Sequence, residues 1–126
     1  MTELLLIGSD QIFRQALAVV VGHQLPECRV RAQVSTATQA LELLGRALPV
    51  DVAIVDLEPR VGDAVELVRQ LVRQRPGVAV LALTTATTAE LALQLRVAGA
   101  VLVVDKSASL DTVLDCVQRP RSSDAA

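Results

Sequence analysis

Short apolar runs alternate with segments of helical periodicity from one end of the chain to the other. The apolar runs cover residues 4–7, 28–34, 50–55, 78–83 and 101–104. In the segments between and after them, apolar positions recur at spacings of three and four, which is typical of amphipathic helices. Strands that alternate with helices predict right-handed crossovers and a parallel sheet covered by helices on both faces.

Two of the predicted strands should differ in their burial. In the segment 28–34, valine and alanine alternate with arginine and glutamine, which indicates a half-solvated strand at a sheet edge. The segment 78–83 is apolar throughout, which indicates a strand buried on both faces. The sheet is therefore predicted to have one edge near residue 30.

Local signals give the expected ends of the later helices. A Pro-Gly pair ends the third helix, and Thr87 and Glu90 predict a capping box at the start of the fourth. Ser109 is expected to cap a short last helix. Residues 119–126 show no periodicity, so they are predicted to be a linker or tail that follows a domain at 1–118.

Composition narrows the function classes. The chain has 126 residues, 52% of them hydrophobic, with one Phe and no Tyr or Trp, so a single domain with an aliphatic core is expected. A net charge of −2 and the lack of aromatic stacking platforms argue against nucleic-acid binding by these residues. No apolar run is long enough to span a membrane, and no signal peptide is visible. Cys28 and Cys116 each stand alone, which favours reduced thiols and a cytoplasmic location.

Polar side chains follow four of the predicted strands, at the edge of a parallel sheet where ligands gather. Polar residues flank most strands, so position alone leaves a structural and a functional role open. A carboxylate, a hydroxyl and an ammonium group would nevertheless converge there. The residues are Ser9 and Asp10 after the first strand, Asp56 and Glu58 after the third, Thr84 and Thr85 after the fourth, and Asp105 and Lys106 after the fifth.

The order and spacing of four motifs resemble a response-regulator receiver domain of the NarL/FixJ type. The motifs are IFRQAL at 12–17, DVAIVDLEP at 51–59, VLALTT at 80–85 and AGAVLVVDKSAS at 98–109. Each is weak alone, and their common order makes the match specific over residues 3 to about 118. The resemblance implies a CheY-like, flavodoxin-like α/β fold: a doubly wound, five-stranded parallel sheet in the order 2-1-3-4-5 with five helices.

The resemblance also assigns roles to three residues. Asp56 matches the phosphoacceptor, Thr84 matches the switch hydroxyl that contacts the phosphoryl group, and Lys106 matches the lysine that pairs with the acceptor or its phosphate. A carboxylate can attack phosphorus, and an ammonium group and a hydroxyl can hold the added oxygens. If phosphorylation is weak, an ion pair between Asp56 and Lys106 is the structural role that stays open.

The chain departs from the family pattern where receivers carry two adjacent acids that hold Mg²⁺. Those positions are Gly8 and Ser9 here, and Asp10 falls one residue late. Because Mg²⁺ requires nearly octahedral oxygen ligands, the pocket is predicted to have lost its metal, and no cofactor is expected. A substitute cradle, with Mg²⁺ as the cofactor, stays open as the alternative; its candidate ligands are Asp10, Asp56, Glu58 and Asp63.

The resembling family usually signals through its fourth helix, fifth strand and fifth helix. Leu93 and Val97 lie four residues apart, opposite the predicted core stripe of the fourth helix. Val101 and Val103 belong to the fifth strand, and Val103 stands where the family usually has an aromatic switch residue. These apolar residues predict a homodimer through the three elements, with tolerated surface exposure as the alternative.

Three functions follow, none of them enzymatic. The leading hypothesis is an atypical receiver of a transcription regulator that acts without phosphorylation, by dimerisation or by binding a partner or ligand. DNA would then be contacted only through a domain outside this chain. The second is a receiver that accepts phosphate at Asp56 from a histidine kinase, and the third is a stand-alone protein-interaction pseudo-receiver.

Overall fold

The computed structural model describes residues 1–57, 64–85, 88–107 and 110–125, with only the backbone described for residues 110 and 119–125. The described residues form five strands and five helices that alternate strictly. In chain order they are β1 Thr2–Ile7, α1 Gln11–Gln24, β2 Cys28–Val34, α2 Ala37–Leu44, β3 Val52–Asp56, α3 Ala64–Gln74, β4 Ala79–Thr84, α4 Ala89–Ala98, β5 Ala100–Asp105 and α5 Leu110–Ala125.

The five strands form one parallel sheet in the order β2-β1-β3-β4-β5, which confirms the predicted fold class and strand order. The strand order reverses between β1 and β3, and ligands of such sheets bind beside the strand ends at that point. Ile7 of β1 pairs with Val55 of β3. Gly8 and Asp56, which directly follow this pair in the sequence, therefore lie at the same level of the sheet.

An aliphatic core lies on each face of the sheet, as the composition predicted. One cluster includes Val68, Leu71 and Leu95 from α3 and α4, and the other includes Leu17 and Val113 from α1 and α5. The exposure of β2 alternates along the strand, and the strand lies at an edge, so both predictions for it are confirmed. β4 is buried except at its first residue, as an apolar central strand should be.

The helix ends show where local sequence signals were correct and where they were not. The Thr88 hydroxyl accepts a hydrogen bond from the Leu91 N–H at 3.1 Å, so Thr88 caps α4. The predicted cap at Thr87 was therefore wrong by one residue, because two adjacent threonines offer the same hydroxyl. Gly99 ends α4 with a φ of 124°, a left-handed conformation that glycine adopts without strain. The proposed Ser109 cap lies outside the described residues.

The last helix is longer than the sequence predicted. α5 has 16 residues and continues to Ala125, through the segment that was predicted to be a linker or tail. The domain boundary near residue 118 stays a prediction. Within the described part of the chain, none of the helices is long and apolar enough to cross a membrane.

Candidate functional site

Three strands bring their carboxyl ends together around a buried carboxylate. Asp56, the last residue of β3, has a side chain that is only 5% exposed. Lys106 follows β5 directly, and its Nζ lies 2.8 Å from Asp56 Oδ2. Thr84 is fully buried at the end of β4, and its carbonyl accepts a hydrogen bond from the Lys106 backbone N–H at 3.1 Å. The fold therefore places a carboxylate, a hydroxyl and an ammonium group at one edge.

Among the described residues, the Lys106 ammonium group contacts the side chains of Asp56, Asp10 and Phe13. Besides Asp56, it donates a hydrogen bond to Asp10 Oδ2 at 3.1 Å, and it lies 4.4 Å from the centre of the Phe13 ring. The contact with Asp56 Oδ2 is a short ion pair. Burial alone lowers the pKa of Lys106, but the carboxylates of Asp56 and Asp10 outweigh burial and raise the pKa above its ordinary value.

Asp10 is committed to two structural contacts. Its Oδ1 accepts a hydrogen bond from the Phe13 N–H at 3.1 Å, which caps α1, and its Oδ2 accepts the bond from Lys106. The backbone bond from Phe13, followed by the bond from Lys106, lowers the pKa of the Asp10 carboxyl. The residue thus links the start of α1 to the loop after β5.

Gly8 is held tightly against the candidate acceptor. Its N–H donates to the Val34 carbonyl at 3.0 Å, and its own carbonyl accepts a hydrogen bond from the Arg14 guanidinium. A Cβ placed on Gly8 would lie 2.8 Å from Asp56 Cβ, a distance that Cβ atoms essentially never show. Because the opposing atom is next to the backbone, a side chain at position 8 requires the strands to move.

The described residues do not fit the Mg²⁺ that the fold family uses. Gly8 has no side chain, Ser9 offers one exposed hydroxyl, and both oxygens of Asp10 are already engaged. Across the ranges that the structure describes, no three His, Cys, Asp or Glu residues come together as metal ligands. Glu58 and Asp63, the other candidates for a substitute cradle, lie outside the described residues.

The residues predicted for the output surface lie on α4 and on β5, a strand at one edge of the sheet. Leu93 and Val97 of α4 are 63% and 77% exposed, whereas Leu91, Leu95 and Ala98 of the same helix are buried. The predicted division of α4 into two faces is therefore confirmed. Val101 and Val103 are half-buried on β5, the edge strand.

Sequence reasoning missed two residues that shape the site. Phe13 supplies the ring beside the Lys106 ammonium group, and Arg14 donates to the Gly8 carbonyl. The signal was present in their spacing, because residues three and four positions after the α1 cap face back toward the strand end. Both residues belong to the motif IFRQAL, which indicated the family but not their contacts.

Comparison with known proteins identifies the family of the chain. The family model of the response regulator receiver domain matches residues 4–118. Over 100 residues the chain is 30% identical to the DNA-binding transcriptional activator DevR/DosR of Mycobacterium tuberculosis, an alignment covering 79% of this chain and 45% of that protein. The chain therefore spans less than half the length of this relative.

Solved structures share the fold. A LuxR-family two-component response regulator from Aurantimonas sp. SI85-9A1 matches with a TM-score of 0.83 at 22% identity, covering 94% of this chain and 84% of that one. The signal receiver domain of the Mycobacterium tuberculosis response regulator NarL matches with a TM-score of 0.76 at 21% identity, covering 93% and 96%. The present chain belongs to the response-regulator receiver domain family.

Proposed function

We propose that this receiver domain is the regulatory module of a transcription regulator and that it signals without an aspartyl phosphate. The observation that carries the proposal is the rim around Asp56, where Gly8 and Ser9 replace the metal-binding acids and Asp10 is paired with Lys106. The likeness to a DNA-binding transcriptional activator supports the regulatory part. DNA binding would belong to a domain outside this chain.

The physical argument concerns charge at the acceptor. A phosphoryl group brings further negative charge beside Asp56, and receivers neutralise it with Mg²⁺ as well as with the lysine. Here one ammonium group, that of Lys106, would have to serve both Asp10 and the phosphorylated Asp56. Phosphorylation of this rim is therefore expected to be slow, and signalling is expected to pass through dimerisation, a partner or a ligand.

Beryllofluoride with Mg²⁺, a mimic of the phosphoryl group, tests this proposal directly. We expect the amide NMR signals of Gly8, Asp10 and Asp56 to stay in place when the two are added at millimolar concentrations. A variant with Asp56→Asn serves as the matched control for effects that do not involve the carboxylate. Saturable shifts in the wild type that the control lacks would overturn the proposal.

The second candidate is a receiver that still accepts phosphate at Asp56 from a histidine kinase. One observation favours it: Asp56, Thr84 and Lys106 are all present at the strand ends, and the ammonium group lies 2.8 Å from the carboxylate. Tight binding of beryllofluoride would establish this candidate in place of the first. The same titration thus separates the two functions.

The output surface proposed for this module consists of Leu93, Val97, Val101 and Val103. Leu93 and Val97 of α4 are more than 60% exposed, and burying them in a second copy would remove both from water. β5, the next element along the chain, forms one edge of the sheet and could be covered by the same copy. We expect the domain to dimerise through α4, β5 and α5 without any phosphodonor.

Sedimentation tests the dimer. We expect Val97→Glu to raise the dissociation constant at least about tenfold, because it places a charge in an apolar contact. The matched control is Ile12→Glu on α1, which changes an apolar residue that is 83% exposed on a different element. A monomer at high micromolar concentration, or an effect of the control alone, would contradict this surface.

A further inference from the structure

A cavity of about 510 Å³ opens beside Asp56, between the end of β1 and the first turns of α2 and α3. Its volume lies within the range of about 300–1,000 Å³ that is usual for small-molecule sites. The described lining comes from β1, β3, α2 and α3 and from the residues that flank them. The cavity is distinct from the Lys106 side of the carboxylate, because Lys106 is not part of its described lining.

The surface of the cavity is mostly apolar. Ile7 and Val55, which are paired neighbours on β1 and β3, meet Leu57 and Leu67 there. Ile7, Val55 and Leu57 are buried members of the core, so a ligand in the cavity would contact aliphatic groups that are already shielded from water. Apolar walls of this kind favour an occupant that is itself mostly hydrocarbon.

Small residues line this space. Gly8 and Ser9 follow β1, and Ala37 and Ala64 begin the helices on the other side. By the resemblance, Gly8 and Ser9 stand where receivers carry two acids, so two negative charges are missing from this end of the cavity. The absence of these two carboxylates disfavours the binding of a metal ion and favours an uncharged molecule.

The charges around the cavity restrict the occupant further. The charged side chains of its described lining are Asp56 and Glu66, and each forms an ion pair with a cation outside that lining, Lys106 and Arg69 respectively. Among the described lining residues, an anionic ligand would meet two carboxylates and no cation, and a cationic ligand would compete with the existing ion pairs. An uncharged ligand avoids both the repulsion and the competition, and a carboxylate oxygen can accept a hydrogen bond from its donor group.

We infer that this cavity is the binding site of a small, uncharged and largely apolar molecule that carries a hydrogen-bond donor. The inference rests on the proposed function, in which such a molecule replaces phosphorylation as the input. The donor group is directed toward Asp56 and the apolar part lies between α2 and α3. Binding at this place acts on the acceptor carboxylate without a metal ion.

Two dyes with the same aromatic skeleton test the inference. N-phenyl-1-naphthylamine is uncharged and carries one N–H donor, whereas 1-anilinonaphthalene-8-sulfonate adds a sulfonate. We expect the uncharged dye to show a saturable rise in fluorescence with one site per domain, and the sulfonate to bind at least about tenfold more weakly. Absence of saturable binding, or equal binding of both dyes, would overturn the inference.

Substitutions that fill the cavity locate the binding site. Ala37→Phe and Ala64→Phe introduce a ring at the start of α2 or α3, and each should weaken binding of the uncharged dye at least about tenfold. Ala16→Phe makes the same change on the exposed face of α1 and should leave binding unchanged. Circular dichroism and urea unfolding establish that each variant is folded.

NMR of the wild type gives an answer that does not depend on the variants. The uncharged dye should shift the amide signals of Ala37, Ala64 and Leu67, and shifts confined to α1 or α4 would overturn the inference. The dye is added without Mg²⁺ or beryllofluoride, so the result is separate from the phosphorylation test. A cavity that fails to bind would leave the proposed function intact, and a domain that binds beryllofluoride could still bind the dye.

Discussion

At the carboxyl edge of the sheet, the ends of β3 and β5 carry Asp56 and Lys106, whereas the end of β1 carries Gly8 and Ser9. By the resemblance, the first half of this rim, Asp56 and Lys106, has the residue types that receivers carry at these two positions, whereas the second half, Gly8 and Ser9, stands where receivers carry two acids. Both halves lie on strands that the same core holds in register. The two halves therefore present different side chains at one edge of the same sheet.

The two halves differ because they depend on different partners. Asp56 and Lys106 stabilise each other, and loss of either would leave a desolvated charge in the fold. Acids at positions 8 and 9 would instead repel each other and Asp56 unless a cation lay between them. A chain that no longer uses Mg²⁺ is thus expected to lose the acids of β1 first and to retain the pair on β3 and β5.

The largest expected effect comes from restoring an acid to the β1 half. Gly8→Asp should lower the free energy of unfolding by about 3 kcal/mol, because its Cβ would overlap Asp56 and its charge would lie beside that carboxylate. Ser9→Asp is the matched control, since Ser9 is exposed, and it should change stability by less than about 0.5 kcal/mol. Urea unfolding measures both.

Equal stability of the two variants would show that position 8 can hold a side chain.

Adding Mg²⁺ to the same variants tests whether an acid at position 8 is enough to bind the metal ion. Gly8→Asp alone should not acquire a metal-dependent gain in stability, because Asp10 is engaged by Phe13 and Lys106. A gain on addition of Mg²⁺ would mean that the lost acid was all that the rim lacked.

A smaller effect is expected from removing the ion pair between Asp56 and Lys106. Lys106→Ala should lower the free energy of unfolding by about 2 kcal/mol, because it leaves the buried Asp56 carboxylate without its ammonium partner. Lys106→Met keeps an apolar chain beside Phe13 and should lose nearly as much if charge is the cause.

Asp56→Asn removes the other partner of the ion pair and is the control for Lys106→Ala. It should cost less than the loss of Lys106, because the ammonium group keeps Asp10 as a partner. An unchanged urea midpoint in Lys106→Ala would contradict a structural role for the ion pair.

The strand order was predicted from the family resemblance, which rests on four motifs, and the edge position of β2 was predicted from the alternation of its residues. Periodicity predicts the alternation of exposed and buried positions in β2 and the two faces of α4. A periodic pattern stays recognisable even when one residue departs from it. The cap of α4 depends on one hydroxyl, and the choice between Thr87 and Thr88 was wrong because both satisfy the same local rule.

The candidate site was predictable only in part, for a related reason. Strand ends place Asp56, Thr84 and Lys106 together by topology, but the link from Lys106 to Asp10 joins residues 96 positions apart. The close approach of Gly8 to Asp56 also depends on the register of two strands. Neither contact leaves a pattern in the linear sequence, and the same is true of the cavity between α2 and α3.

The smallest expected effect concerns Asp10, which joins the two halves of the rim. Its hydrogen bonds from Phe13 and Lys106 lower the pKa of its carboxyl in the folded state below the ordinary 3.8. The resulting stabilisation is present above pH 3.8 and is lost as the pH falls through the folded-state pKa. The raised pKa of Lys106 acts at the other limit, since its contribution is complete below pH 10.5 and is lost as the pH rises beyond it.

Asp10→Asn isolates this charge, because asparagine still caps a helix but does not bind Lys106 as a carboxylate does. We expect the urea midpoint of the variant to lie below that of the wild type at neutral pH and the difference to shrink below pH 3.8. Glu42→Gln on α2, an exposed position away from the rim, should show no such convergence. A difference between Asp10→Asn and wild type that stays constant through the acid range would mean that the charge of Asp10 strengthens neither the bond from Phe13 nor the bond from Lys106, and the two halves of the rim would then not be joined by an ion pair.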